Sequence, residues 1–362
     1  MFRALALTLL AAAPAAGAAD FCAATAEALQ QHLDSASANA QPDLVRIAAG
    51  TYVAPENGFI YNAQAITEPH ALVLEGGWTG NGNDPCGTPP VGDPLLTVLD
   101  GGGPERIMWM RLSTTSQLTV RWLSFENGGD GGLQIDAPFT AEFTGEVVVE
   151  NNAFIGNTGI AGGGLSANLQ PFGTGALLRV AGNLFVDNHA TDDSGAARIW
   201  GVASPPGTTA ARLHVIGNTV LWNTTAATGE VARGGLEIAG SDLVDRVVAN
   251  NLLWDNASAD LALFSASGWV LLHNDVQDTI GFEAAVDVGN LSVDPGLQSC
   301  AGCAPWALAE DSPLVDAGAH PLSADLWTLP TQDLAGRARV AGMAVDIGAL
   351  ELAVAVFADG FE

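Results

Sequence analysis

The side chains best suited to chemistry cluster in the middle of this chain. Asp192 and Asp193 adjoin, Arg198 and Glu237 follow, and Arg179 and His214 lie at similar intervals. Carboxylates beside a guanidinium or an imidazole are the groups that acid/base cleavage of a glycosidic bond needs. A second set, Asp187, Trp222 and Asp255, places an aromatic face between two carboxylates. Such a set can stack on a sugar ring and accept hydrogen bonds from its hydroxyls. A third set is metal-directed: Asp130 with Asp136, and Asp192 with Asp193, offer the oxygen ligands that calcium takes. His189, His214 and His273 lack metal-ligand spacing, so calcium is the one ion these residues suggest and no other cofactor is expected.

Arg179, His214, Asp187, Trp222 and Asp255 sit within an eleven-residue phrase that returns four times, at 147–157, 178–188, 213–223 and 246–256. Each copy has a β-branched or leucine run, an Asn (Asn152, Asn183, Asn218, Asn251), and an apolar residue two places on (Phe154, Phe185, Val220, Leu253). Each then closes on a second Asn (Asn157, Asn188, Asn223, Asn256). The first Asn recurs after 31, 35 and 33 residues, a spacing that marks a solenoid of stacked units. A second short strand follows in each unit, at 131–135, 163–167, 195–199 and 234–238. Two or three short strands per turn cannot close a sheet on themselves. They must wind into parallel stacks around a shared apolar interior, and the crossover rule makes that winding right-handed.

The predicted fold is therefore all-β, a single-stranded right-handed parallel β-helix solenoid with a short N-terminal capping helix. Corners between sheets demand positive φ, which Gly, Asn and Asp tolerate best. Gly182, Gly217, Asn151 and Asn250 fit one such corner. The Asn residues that follow are predicted to hydrogen-bond from coil to coil, roughly 4.8 Å apart, which gives all eight a structural role. Register then puts Arg198 beside Glu237, and Arg179 beside His214, on adjacent coils. The long connections 168–175, 201–211 and 240–245 are expected to form a wall along one side of the stack.

Before the repeats, Thr25 is placed to cap a helix carrying Ala28, Leu29 and Leu33, which would cover the open first rung. Short strands follow at 44–47, 71–74 and 96–99. Residues 1–18 read as a secretory signal, with Arg3, an apolar run and Ala16-Gly17-Ala18 at the end. That run is too short to span a bilayer, and no later stretch is long enough. The domains expected are a signal peptide (1–18), a capping segment (19–42), the β-helix (43–290), a C-terminal cap (291–352) and a tail (353–362).

Composition narrows the partners. All 12 basic residues are arginine, against 40 acidic ones, for a net charge of −28. Loss of Arg3 with the leader makes the balance one unit more negative. Such a surface repels nucleic acid and anionic membranes, and disfavours a polyanion unless divalent cations bridge the charges. Four cysteines in an exported chain imply disulfides, with three pairings open. The Cys300-Ala-Gly-Cys303 spacing suggests a local staple, which leaves Cys22 with Cys86.

The chain resembles bacterial right-handed β-helix proteins of the pectin-lyase-like superfamily over most of residues 43–300. The resemblance rests on the repeats and on Thr97-Val98-Leu99-Asp100-Gly101-Gly102-Gly103 with Leu123-Ser124-Phe125-Glu126-Asn127-Gly128. Its C-terminal segment resembles the choice-of-anchor Q domain through 293–297, 312–318, 333–337 and 345–351. Proteins with that domain are exported and commonly end in surface-sorting tails, which implies an extracellular or outer-surface location here. Enzymes of the superfamily cleave acidic polysaccharides with paired Asp residues, or with calcium and a basic residue. The Asn-x-Asp, Gly-His-Gly and Arg-x-Lys elements of the hydrolases are absent, and there is no Lys. Arg337 and Arg339 with Asp316, Asp333, Asp346 and Glu351 are expected to form a charge cluster closing the last coil.

The function expected is that of an exported, non-catalytic binding or structural module, with a polysaccharide or cell-surface partner. The alternative is a polysaccharide lyase or glycoside hydrolase acting along the loop-walled face. Its candidate catalytic residues are Asp192, Asp193, Arg198, Glu237, Arg179 and His214.

Overall fold

Alternation of apolar and polar residues turns one side of every strand inward. Val147 and Val149, Leu178 and Val180, and Leu213 and Val215 are all buried, and together with their counterparts they form one continuous core. The computed structural model describes residues 18–103, 105–203, 210–229, 232–242, 244–300, 304–323 and 326–352. Residues 1–17 of the expected leader (1–18) and the tail at 353–362 lie outside that set. The strands stack in parallel into a β-helix with three principal sheets, one of eleven strands and two of eight. In sheet 1 the repeat strands are Glu146–Glu150, Leu177–Ala181, Ala211–Ile216 and Val244–Ala249. Sheet 2 takes Ala153–Ile155, Leu184–Val186, Thr219–Leu221 and Leu252–Trp254. Sheet 3 takes Leu165–Asn168, Ala197–Gly201, Leu236–Gly240 and Leu261–Phe264. The glycines expected to begin the sheet 3 strands belong to the preceding turns instead.

The Asn residues form two ladders. At the corner between sheets 1 and 2, the backbone N–H of Asn152 donates to Oδ1 of Asn183 at 3.0 Å, and its Nδ2 donates to the same oxygen at 3.1 Å. The pattern repeats from Asn183 to Asn218 and from Asn218 to Asn251. It then continues through Asn274 and Asn290, two rungs beyond the legible repeat. Asn157, Asn188, Asn223 and Asn256 form the second ladder between sheets 2 and 3. That ladder ends on the Asp260 carboxylate, which accepts both donors of Asn256. Buried amides in such columns satisfy backbone groups that the corners would otherwise strand. Inside the coil Phe125, Phe154 and Phe185 stack with centroids 5.0 and 4.7 Å apart.

The N-terminal end is closed. Thr25 Oγ1 accepts from Ala28 N at 3.1 Å at the start of helix α1 (Ala26–Ser37), which buries Leu29, Leu33 and Ala36. Gln30 of α1 also plays the part of a strand: its side-chain amide donates to Ile60 O and accepts from Ile60 N, at 2.8 and 2.9 Å. This pairs the otherwise open edge of sheet 3. The 19–42 segment also contributes a strand, Ala19–Ala23, parallel to Asp43–Ala48. Cys22 and Cys86 are disulfide-bonded with Cα atoms 5.8 Å apart, tying that strand to the hairpin at Asp84–Thr88. Cys300 is disulfide-bonded, and its expected partner Cys303 lies outside the described residues.

At the other end the sequence reading needs correction. Segment 291–352 begins on the last coil, where Leu291 bridges to Asp275, but its remainder turns back along the flank of the stack rather than closing that coil. Ala319 exchanges hydrogen bonds with Asn250 at 2.7 and 2.8 Å, Arg179 donates to Thr328 O, and Asn151 donates to Gln332 O. From Ala319 to Gln332 the segment therefore passes one corner after another in reverse order, as a strap, before returning so that Gly348 N donates to Asn250 O and Ala349 N to Thr219 Oγ1, both at 2.8 Å. Leu308, Leu314, Leu334, Ile347 and Ala349 pack onto Ala153, Leu184, Val186, Leu221 and Leu252, the outward residues of sheet 2. Trp327 covers Ala181, Ile216, Val247 and Ala249 in the same way. The physical cause is that the outward face of sheet 2 is as apolar as its inward face, and water cannot be left against it. Beside the last rung lies a hollow of about 570 Å3 lined in part by Leu261, Leu271 and Val276.

The charge cluster forms, but inside the strap. Arg339 is bound to the Glu351 carboxylate and to the carbonyls of Asp346 and Gly348. Asp333 accepts from the backbone N–H groups of Ala335, Arg337 and Glu351. Arg339, Asp333, Asp346 and Glu351 are all buried. Burial pushes the Arg339 pKa down to about 10 and the Asp333 carboxyl up, against the opposing charges beside each.

Candidate functional site

The outward residues of sheet 3 differ from those of sheet 2. Strand register stacks Trp109, Gln134, Ser166, Arg198 and Glu237 in one column, and Arg111, Asp136, Asn168 and Trp200 in the next. This face is polar and aromatic and lies outside the strap's apolar contacts. Most of its residues are half-buried, which leaves their heads accessible. On one side run the loops from sheet 3 to sheet 1. Those loops stack as expected, with Phe143 bridged to Phe172 and Ala203 N donating to Ser241 Oγ. On the other side lie the turns that carry Asp130 and Asp193.

At one end of the face, two carboxylates and two guanidiniums converge. Arg233 Nη1 binds both Asp193 and Glu237, the latter at 2.7 Å. Arg198 Nε lies 3.9 Å from Asp193 and 3.8 Å from Glu237. Trp200 Nε1 donates to Glu237 at 2.7 Å, and the Arg198 guanidinium lies over the Trp200 ring, 3.4 Å from its centroid. Burial raises the Glu237 carboxyl to about 7, reinforced by the hydrogen bond and like charge of Asp193 and opposed by Arg233 and Trp200. The two carboxyls bind the same Arg233 nitrogen, which places them as a neighbouring pair. The Glu237 side chain is only 3% exposed.

Nearer the N-terminal end a pocket of about 250 Å3 opens between Arg106 and Arg198, floored by Gln134 and Ser166. Arg106 binds Asp130 at 2.7 Å. Arg106 and Arg111 both lie over the Trp109 ring, at 5.2 and 4.8 Å, and Trp109 Nε1 donates to Asp136 at 2.7 Å. Burial raises the Asp136 carboxyl, while Trp109, Gln134 and the two arginines pull it back.

The residues singled out from sequence separate into three places. Asp193, Arg198 and Glu237 meet in the cluster above, with Asp192 exposed in the turn beside them. Arg179 and His214 lie on sheet 1. Arg179 bonds Glu150 at 2.7 Å within a cross-coil series that runs Glu75, Arg121, Glu150, Arg179, and His214 Nε2 lies 3.5 Å from Asp245. Arg179 and His214 are 8% and 3% exposed, so neither shares a surface with Glu237. Asp187, Trp222 and Asp255 are corner residues with φ of 55°, 58° and 55°. Trp222 packs partly against the apolar cluster under the strap. Asp130 and Asp136 each serve a separate donor group, and among the described residues no three His, Cys, Asp or Glu side chains converge to hold a metal.

The sequence reading missed Arg233, Trp200, Trp109, Arg106 and Arg111. Arg233 lies four residues before Glu237 but outside the repeat phrase. Trp200 lies one residue past the expected end of its strand.

No family model, curated protein or solved structure matches this chain.

Proposed function

We propose that this protein is an exported β-helix module that binds a polysaccharide lengthwise along the outer face of sheet 3 without cleaving it. The observation that carries the reading is the contrast between faces: sheet 2 is sealed by the chain's own strap, whereas sheet 3 presents Trp109, Gln134, Asp136, Ser166, Asn168, Arg198 and Trp200 in straight columns. Aromatic rings beside amide, hydroxyl and carboxylate groups are the usual means of holding a sugar. The columns run for several rungs of about 4.8 Å each, long enough to engage successive sugar units. Export is supported by the Cys22–Cys86 disulfide, which persists in oxidising compartments, and by the leader-like first 18 residues. Among the described residues no helix is long and apolar enough to cross a membrane. Resemblance to the pectin-lyase-like superfamily and to the choice-of-anchor Q domain points to the same setting at the cell surface.

One observation favours cleavage as a second reading: the Asp193–Glu237 pair, with Glu237 raised to about 7, has a proton to give near neutral pH. Its burial beneath Trp200 and Arg198 weighs against it. A polysaccharide panel separates the readings. Binding with no reducing-end or unsaturated products supports the module, products lost in Glu237→Gln support an enzyme, and failure to bind any polysaccharide overturns both.

A further inference from the structure

The superfamily that this chain resembles acts on acidic polysaccharides, but the charges on the face of sheet 3 suit a different ligand. Four arginines line it, and each has a carboxylate of its own neighbourhood. Arg106 is bonded to Asp130. Arg233 is bonded to Asp193 and Glu237, and Arg198 lies within 4 Å of both. Arg111 lies over the ring of Trp109, whose Nε1 is bonded to Asp136, and its charge acts on that carboxyl. The pocket between Arg106 and Arg198 is built the same way, since Asp130 shares its wall. A uronate entering it would meet Asp130 as well as the two arginines. To bond a guanidinium it would have to displace a carboxylate already held within the protein, with no net gain in pairing.

Resting on the binding function proposed above, we infer that the ligand is an uncharged polysaccharide. Its hydroxyls are recognised by Gln134, Ser166 and the outer oxygens of Asp130 and Asp136, and its rings lie along the Trp109 to Trp200 line. Carboxylates already neutralised by arginine remain good hydrogen-bond acceptors for sugar hydroxyls. The surplus acid elsewhere on the chain, which brings the net charge to −28, repels a polyanion before it arrives.

The test compares polymers that differ in the carboxyl alone. Polygalacturonate and alginate are each titrated calorimetrically into the protein, beside the same polymers with their carboxyls reduced to alcohols. The inference expects a reduced polymer to bind at least about tenfold tighter than its parent, with an affinity that added salt leaves unchanged. Asp130→Asn, which releases Arg106, is expected to narrow the preference for the reduced form over its acidic parent to a few-fold. Tighter binding of a parent polyuronate, weakening with salt, overturns this inference and leaves the binding function standing. Binding of neither form overturns both.

Discussion

Sheets 2 and 3 are built from the same rungs, and their outward faces have opposite fates. On sheet 2 the outward positions hold Ala153, Leu184, Leu221 and Leu252, and a strap of about sixty residues lies over them. On sheet 3 the equivalent positions hold Trp109, Asp136, Arg198 and Trp200, and the strap passes them by. Inward residues are interchangeable between sheets, because both faces enclose the same core. Outward residues decide what each face meets: its own chain in one case, a visitor in the other.

The comparison is sharpest under mutation. Arg339→Leu leaves Glu351, 2% exposed, without its cation. Breaking a buried pair in this way costs about 3–5 kcal/mol. The expected outcome is loss of the strap from sheet 2, read as a lower denaturation midpoint and rapid proteolysis within 304–352. Asn218→Ala strands the backbone N–H of Asn183 in the corner under that strap and removes one of the three acceptors of its Nδ2, at about 1–3 kcal/mol for the orphaned group, measurable by the same denaturation. Trp200→Ala, on the open face, is expected to change stability by about 1 kcal/mol or less. An effect as large as that of Arg339→Leu would mean that the open face is structural.

Acidity gives a smaller effect with an unusual sign. Glu237 is raised from 4.5 to about 7, so the folded protein holds a proton that the unfolded chain has already released. Stability from this group is therefore present below about 4.5 and lost as pH rises towards about 7. Asp260 and Asp275, raised by burial to about 6, act in the same direction over a lower window. Melting temperature is expected to fall between pH about 5 and about 8, and Glu237→Gln is expected to shallow that fall.

The solenoid was legible because its geometry recurs. Asn152, Asn183, Asn218 and Asn251 return at nearly constant intervals, and each corner needs positive φ just before them, as at Asn151 and Gly182. Asn274 and Asn290 escaped notice because the last coils shorten, with ladder steps of 23 and 16 residues. The strap's course was not legible, since no periodicity links Ala319 to Asn250 or Thr328 to Arg179. The same blindness grouped Arg179 and His214 with Glu237: register orders residues within a column but does not say which columns share a face. Arg198 beside Glu237 was readable from register. Arg233 enters from a turn, where no repeat fixes its position.

Oxidative footprinting of tryptophan, with and without a bound polysaccharide, tests most directly whether sheet 3 is the receiving face. The account predicts that Trp109 and Trp200 react in the free protein and are shielded in the complex. Trp222 and Trp254, which pack partly against the apolar cluster under the strap, are predicted to react equally in both. Shielding of Trp222 and Trp254 with Trp109 and Trp200 unchanged would contradict it.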